Sequence, residues 1–472
     1  MSEPEITPVS TPTVTPNGHL PTGQEKPSRP KTRRPKRAKV TWRARLLEMN
    51  KQFAMITEGP NIGSILVEST DPRTGWPTIS FASTEQLFKR YANKPVEINH
   101  VWHHSVDRWL SSSERRDIKG IVFAPGQEMG ADYYNLWRGF SVKPKQGDCS
   151  LYLQHIHDVI ASGNDEIYRY VIAWMADAVQ HPAQRPGISL ALRGLQGTGK
   201  GVFISQFGKL FGPHYKHVTH SHHLVGRFNN HFKDALIVFA DETVWIGDRK
   251  AEGVLKAMVT EETMQIEPKG RDIYEVQNHI RLMVASNKDW VVPAGLEERR
   301  FCVIDVPDTH IQDEAYFKAI VEEMDHGGRE ALLYHLLNEV DLSNIKLRNF
   351  PRTPALFEQM VRTMEPVQRF WYNMLRRGAF YDVSSEDVYT DWPGEVRIPC
   401  PTLYEKYGDY LGKRRQKLSD TDGGEAEFGS ELRKWVPPEF KRYRPSNGHG
   451  GRVYTYVIPP LGYGQKQAPV FM

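Results

Sequence analysis

Cysteine is scarce. The 472-residue chain holds only Cys149, Cys302 and Cys400, far apart and with no CxxC pair. That argues against a disulfide framework and against a cysteine-ligated zinc site. No apolar run approaches the roughly 20 residues that a membrane-spanning helix needs, so no membrane partner is expected. The polar N-terminus lacks the apolar core of a secretion signal, and nothing repeats at a solenoid period. Together these absences point to a reducing, cytoplasmic setting. Bulk charge is also low, at a formal +4. Most of that charge is local: residues 1–39 carry eight basic and three acidic side chains, leaving the rest of the chain near neutral. Nucleic-acid contact is therefore expected at particular places and not over the whole surface.

The tail itself is rich in Pro, Thr, Lys and Arg and nearly free of large apolar residues. Such a segment cannot offset its ordering entropy, so residues 1–40 are expected to be a disordered basic tail. Composition alone leaves two uses open, a DNA-touching arm or a solubilising linker.

What the chain does have is centred on residues 188–201, ISLALRGLQGTGKG. An apolar strand runs into a glycine-rich turn and then into a lysine at the mouth of a helix. Gly194, Gly197, Gly199 and Lys200 stand at Walker A spacing, with Gln196 and Thr198 between them. Glycines let backbone N–H groups curl around phosphate, and the lysine reaches the outer phosphates. The residue after the lysine, ordinarily Ser or Thr for Mg²⁺, is Gly201. The stretch thus promises triphosphate binding and leaves metal handling open.

Further along, the run ALIVFADE suits a central parallel strand with Asp241 and Glu242 at its carboxyl end, where open α/β sheets bind ligands. Asp241 is suited to hold Mg²⁺ through water, and Glu242 to align or deprotonate an attacking water. Alone, the pair is equally well a strand ending in solvated acids. Residues 263–276 predict a hairpin with Lys269 and Arg271 at or near its tip, either a finger for a phosphate backbone or an ordinary solvated turn. HIRLMVASN is another apolar strand, with Asn287 placed as a polar sensor of γ-phosphate or water. Arg299 and Arg300 precede a last strand, either as surface charge or as a guanidinium offered to a neighbouring subunit's nucleotide. Six histidines between His214 and His231 lack a carboxylate or cysteine completing a ligand set, so a loop is expected there and not a metal site.

Before the loop, helices are expected at residues 42–50 and 83–92, and a strand pair at 135–144. Two amphipathic stretches are expected over 149–182, with Asp165 capping the second. After the sheet, residues 311–342 and 353–377 have helical patterns. Residues 401–411 and 427–436 predict two more helices, and 440–443 and 453–458 a strand pair, together a winged-helix-like module. Arg433, Lys434, Lys441, Arg442, Arg444 and Arg452 would supply its phosphate contacts.

In this order, the strings GLQGTGKG (194–201), FADE (239–242), SNKDWVVPAG (286–295) and ERRF (298–301) resemble superfamily 3 helicases. More narrowly, they resemble the helicase part of phage and plasmid primase–helicase proteins. The likeness covers residues 120–310 and includes NLWRGFSVKPKQGDC. It implies an AAA-like P-loop ATPase core using ATP and Mg²⁺, assembled as a homo-hexameric ring in the cytoplasm of a bacterial host. Lys200 would bind the outer phosphates, Asp241 and Glu242 would serve metal and water, and Asn287 would act as sensor. Arg299 or Arg300 would act in trans, and Lys269 would track single-stranded DNA in the central channel. Glycine at position 201 is tolerated in this branch. Residues 41–150 show no acid cluster assignable to a primase, so a separate primase or polymerase is an expected partner.

The expected organisation is α/β. A basic tail (1–40) precedes an N-terminal α+β region (41–148) and a helical linker or oligomerisation block (149–185). The ATPase core follows (186–310), then a helical region (311–395) and a C-terminal winged-helix-like domain (396–472). The expected function is an ATP-dependent DNA helicase of a mobile element's replication. The alternatives are a packaging or loader motor, or a nucleotide-switched DNA-binding protein without unwinding.

Overall fold

The structure is a computed structural model that describes residues 40–242, 249–270, 272–295, 298–377, 379–380, 390–391, 394–413, 424–444 and 453–461. The basic tail, Arg271, Arg452 and the turn at 446–451 lie outside the described residues.

The first elements form a small α+β unit. Helix Trp42–Gln52 starts at Thr41, whose hydroxyl accepts from Ala44 N. Helix Thr84–Tyr91 starts in a reciprocal cap, Ser83 Oγ accepting from Gln86 N and Gln86 Oε1 from Ser83 N, which satisfies two otherwise orphaned donors. Both helices pack on a four-stranded sheet made from Pro77–Ala82, Ile65–Thr70, Phe53–Ile56 and Asp117–Ile118. Phe53, Tyr91 and Trp109 meet edge-on at its centre.

The strand pair expected at 135–144 does not form. A strand ends at Asn135, and residues 136–149 have no regular element. The reason is local. Asn135 Oδ1 accepts from Ala124 N and Trp137 N. Arg138 N donates to His214 Nε2, and Ser141 N to Leu210 O. The backbone groups that a hairpin would pair are thus satisfied by side chains and a helix end.

The central layer is parallel. Helix α1 (Asp165–Gln180) leads into β1 (Ser189–Arg193), and α2 (Lys200–Lys209) follows the glycine loop. Then come β2 (Tyr215–Val218), β3 (Ile237–Asp241), β4 (Arg281–Ser286) and β5 (Phe301–Asp305), followed by α3 (Glu314–Glu323). The sheet order is β2–β3–β4–β1–β5, with every neighbouring pair parallel. All of β4 and all of β3 except Asp241 are buried, as expected for strands covered on both faces. Trp174 of α1 donates to Ile188 O at 3.0 Å and is fully buried, fixing the helix to the start of β1. The cap of α1 is Asn164 and not Asp165. The left-handed Gly163 (φ 71°) leaves Asn164 extended, and Asn164 Oδ1 accepts from Glu166 N and Ile167 N.

A second core joins helices Pro366–Arg377, Cys400–Lys413 and Gly424–Arg433 through Phe370, Leu403, Tyr407 and Phe428. The expected pair Lys441–Tyr443 and Thr455–Ile458 is antiparallel, and Val396–Pro399 adds a third strand on the other side of the latter. Among the described residues no helix is long and apolar enough to cross a membrane. Cys149, Cys302 and Cys400 are free and buried, and burial pushes the first two thiols up to about 12.

Candidate functional site

The loop between β1 and α2 is built by close approaches. A Cβ on Gly194 would lie 2.5 Å from Val306 O. Gly199 has φ 91°, and a Cβ there would lie 2.5 Å from the His155 ring. His155 is buried, with Nε2 3.3 Å from Gly199 O and Nδ1 3.1 Å from the Tyr316 hydroxyl. Burial pulls its pKa down to about 4, so it is a neutral brace under the loop. Gly201 differs from both: a Cβ there would meet nothing within 4 Å. Sterics do not exclude a hydroxyl side chain at that position.

Lys200 is turned into its own loop. Its Nζ donates to Gly194 O (2.7 Å), Leu195 O (2.6 Å) and Thr198 Oγ1 (3.2 Å). Burial lowers its pKa, opposed by the charges of Glu242 and Asp241. A bound phosphate would compete for these donors.

The loop forms one wall of a cavity of about 710 Å³. Gln196, Gly197, Thr198, Gly199, Lys200 and Gly201 line it, and Asp241 and Glu242 face it from the end of β3. Glu242 is left-handed (φ 53°), with its N–H donating to Ala285 O at 2.9 Å. A non-glycine residue held at positive φ is uncommon. Here β4 fixes the turn that ends β3 at the cavity. Asp241 Oδ2 is 3.1 Å from His217 Nε2, and the His217 ring stacks on Phe239 at 4.6 Å. Thr219, one residue beyond β2, also lines the cavity. Asp241, Glu242 and Thr219 offer hard oxygen donors of the kind Mg²⁺ takes.

The other candidates are dispersed. Asn287 is exposed, one residue past β4 and two past the cavity-lining Ala285. Arg299 is exposed and Arg300 half-buried, both just before β5. Glu298 Oε1 accepts from both of their backbone N–H groups, and Arg300 O accepts from Ser189 N at the start of β1. Because β1 and β5 are parallel, the arginines sit at the sheet edge opposite the glycine loop. The hairpin Thr263–Ile266 with Tyr274–Gln277 is formed, and Lys269 is exposed beside the left-handed Gly270 (φ 74°) at its tip. Asn229 holds the first strand where it enters the turn, accepting from Glu267 N and donating to Gln265 O, and Arg227 pairs with Glu267.

Three histidines of the dense stretch have structural or positioning contacts, among them His231, whose Nε2 lies 3.0 Å from His223 O. His214 is buried with its Nδ1 2.8 Å from Asp234 O, and Trp137 stacks on it at 5.0 Å. Burial takes its pKa to about 4. His217 holds Asp241. No cluster of three or more His, Cys, Asp or Glu side chains suited to a metal occurs among the described residues. His155 and Thr219, and Gln312 and Phe317, which also line the cavity, belong to no motif. Their places come from contacts between distant segments.

Residues 192–300 match a protein family described as DUF5906, a family of unknown function. A 215-residue stretch is 26% identical to the DNA primase-polymerase of Nitratiruptor phage NrS-1, covering 43% of this chain and 29% of that protein. The chain is thus related to a phage primase-polymerase while matching under a third of its length. The fold resembles the solved apo structure of the NrS-1 C-terminal region (305–718), with a TM-score of 0.57 at 17% identity, over 83% of this chain and 96% of that one. An A-form structure of the same region gives 0.60 at 16% identity, over 87% and 98%.

Proposed function

We propose that this chain is an ATP-driven helicase of phage-type DNA replication, assembled as a ring on single-stranded DNA. One observation carries the reading. The fold brings Lys200, Asp241 and Glu242, from two strands separated by a third, to a single cavity under a glycine loop. Backbone N–H groups at 194–201 and the start of α2 favour anionic phosphate, and Lys200 exchanges its loop carbonyls for phosphate oxygens. Glu242 aligns the attacking water and accepts its proton. Mg²⁺, held by Asp241 with phosphate oxygens, would neutralise charge on the outer phosphates. Asn287, one residue past β4, would sense the outer phosphate. Lys269 contacts the DNA backbone, and Arg299 or Arg300 serves a neighbouring subunit's nucleotide. A separate primase or polymerase would supply synthesis.

The test is ATP hydrolysis by the full chain with and without single-stranded DNA, beside unwinding of a forked duplex. The expected result is DNA-stimulated hydrolysis with unwinding. Lys200→Ala should lose binding or turnover, and Glu242→Gln should bind ATP without turnover. Hydrolysis that ignores DNA and opens no fork would overturn the helicase reading in favour of another kind of motor.

A further inference from the structure

The two flanks of the glycine loop are chemically different, and the sheet order sets which is which. β1 lies between β4 and β5. On the β4–β3 side the cavity is walled by Asp241, Glu242, Ala285 and Thr219. The segment that leaves β5 supplies Gln312, Glu314 and Phe317, and the first turn of α2 adds Val202. One flank is acidic and suited to the reacting end of a triphosphate. The other offers an aromatic ring and one carboxylate, and Val202 lines the cavity from α2.

This second flank is held in place. Gln312, itself left-handed (φ 59°), donates its N–H to Gly197 O at 3.3 Å. Asp313 Oδ1 accepts from Tyr316 N at 3.1 Å, capping α3. His310 stacks on Tyr316 at 3.8 Å, and Tyr316 meets the buried His155. Phe317 packs edge-on against His155 (88°) and Tyr316 (74°), half-buried, while still lining the cavity.

We propose that Phe317 and Val202 form the nucleobase subsite and that Glu314 selects a purine carrying a 6-amino group. The inference rests on the reading that a nucleoside triphosphate lies along this loop. With its terminal phosphate at Asp241 and Glu242, such a ligand must carry its ribose and base toward the opposite flank. Phe317 offers a surface on which any base stacks. Glu314 decides among bases because an ionised carboxylate only accepts hydrogen bonds. It welcomes the N6 amino group of adenine and repels the O6 acceptor of hypoxanthine or guanine.

The experiment measures equilibrium binding of ATP, ITP and inorganic triphosphate to the full chain carrying Glu242→Gln to suppress turnover. ATP should bind more tightly than ITP by about tenfold or more. Adding Phe317→Ala should weaken ATP about 10- to 100-fold and inorganic triphosphate far less. Phe317→Leu, which keeps apolar packing on His155, should act in the same direction and guards against misfolding. Adding Glu314→Gln, at an exposed position, should narrow the ATP-to-ITP ratio because the amide can donate to O6. If the Phe317 variants weaken ATP and inorganic triphosphate alike, or Glu314→Gln leaves the ratio unchanged, the subsite is wrong. If neither ATP nor inorganic triphosphate binds before those changes are added, the triphosphate reading of the loop fails first.

Discussion

Gly199 and Gly201 flank Lys200 yet are under opposite constraints. A side chain at Gly199 must adopt a left-handed backbone and enter the His155 ring. One at Gly201 enters open space inside the first turn of α2. Gly199→Ala should therefore destabilise the fold by about 2 kcal/mol or more. Gly201→Ser should be neutral or stabilise by a few tenths of a kcal/mol, since serine is a better helix former than glycine. Urea titrations of the two variants check this, and equal losses would refute it. The buried histidines predict an acid sensitivity. His155 and His214 have folded pKa values depressed from 6.5 to about 4. Each is neutral in the fold and takes up a proton on unfolding below pH 6.5. Their stabilisation is thus fully present above that pH and is lost as pH falls toward 4, by about 3 kcal/mol per histidine. Stability measured from pH 7 to 5, above the ordinary carboxylate range, should fall, and His155→Gln should flatten the slope. A slope unchanged in that variant would remove His155 from the account.

Among the elements, the hairpin at 263–277 separates DNA response from hydrolysis most cleanly. Its first strand is pinned at the turn by Asn229 and Arg227, and the tip places Lys269 in solvent, away from the cavity. Lys269→Ala should keep basal hydrolysis within about twofold, because surface substitutions rarely perturb a fold. It should lose most of the stimulation by single-stranded DNA, and normal unwinding by this variant would show the hairpin assignment to be wrong. This hairpin was legible in the sequence because two strand-like runs flank a Pro-Lys-Gly turn. β1, β3 and β4 were legible for a similar reason, as apolar runs ending abruptly in glycine, acid or Ser-Asn. The loop at 136–149 was not. Its apolar residues Leu136, Trp137, Phe140 and Val142 mimic short strands, while its backbone is satisfied by Asn135, His214 and the end of α2. Asp165 fits the cap of α1 by residue type, but the turn at Gly163 hands that role to Asn164. The His155 brace and the Phe317 flank were invisible for another reason. They meet the loop across 44 and more than 100 residues of sequence, and no local period encodes such a contact.

At the scale of the whole molecule, the proposed ring turns on where the sheet puts two arginines. Arg299 and Arg300 precede β5, and the cavity lies beyond the far ends of β1 and β3. A five-residue strand spans about 16 Å, and the polypeptide N–H groups of both arginines are tied to Glu298, whose carbonyl is held in turn by Arg352. Their guanidinium groups are therefore poorly placed for their own cavity, and the proposed ring gives them a role at a neighbour's. Two inactive variants can separate these geometries. Lys200→Ala keeps the arginines and loses the pocket, whereas Arg299→Ala combined with Arg300→Ala keeps the pocket and loses the arginines. If the arginines act in trans, mixing the two should restore hydrolysis, because some interfaces then pair an intact pocket with an intact arginine. For random assembly with equal amounts, that is about a quarter of the interfaces. Restored activity should appear only under conditions where sedimentation shows a multimer in ATP. If mixing restores nothing although the variants assemble together, the arginines do not complete a neighbour's site, and the pair before β5 is structural charge.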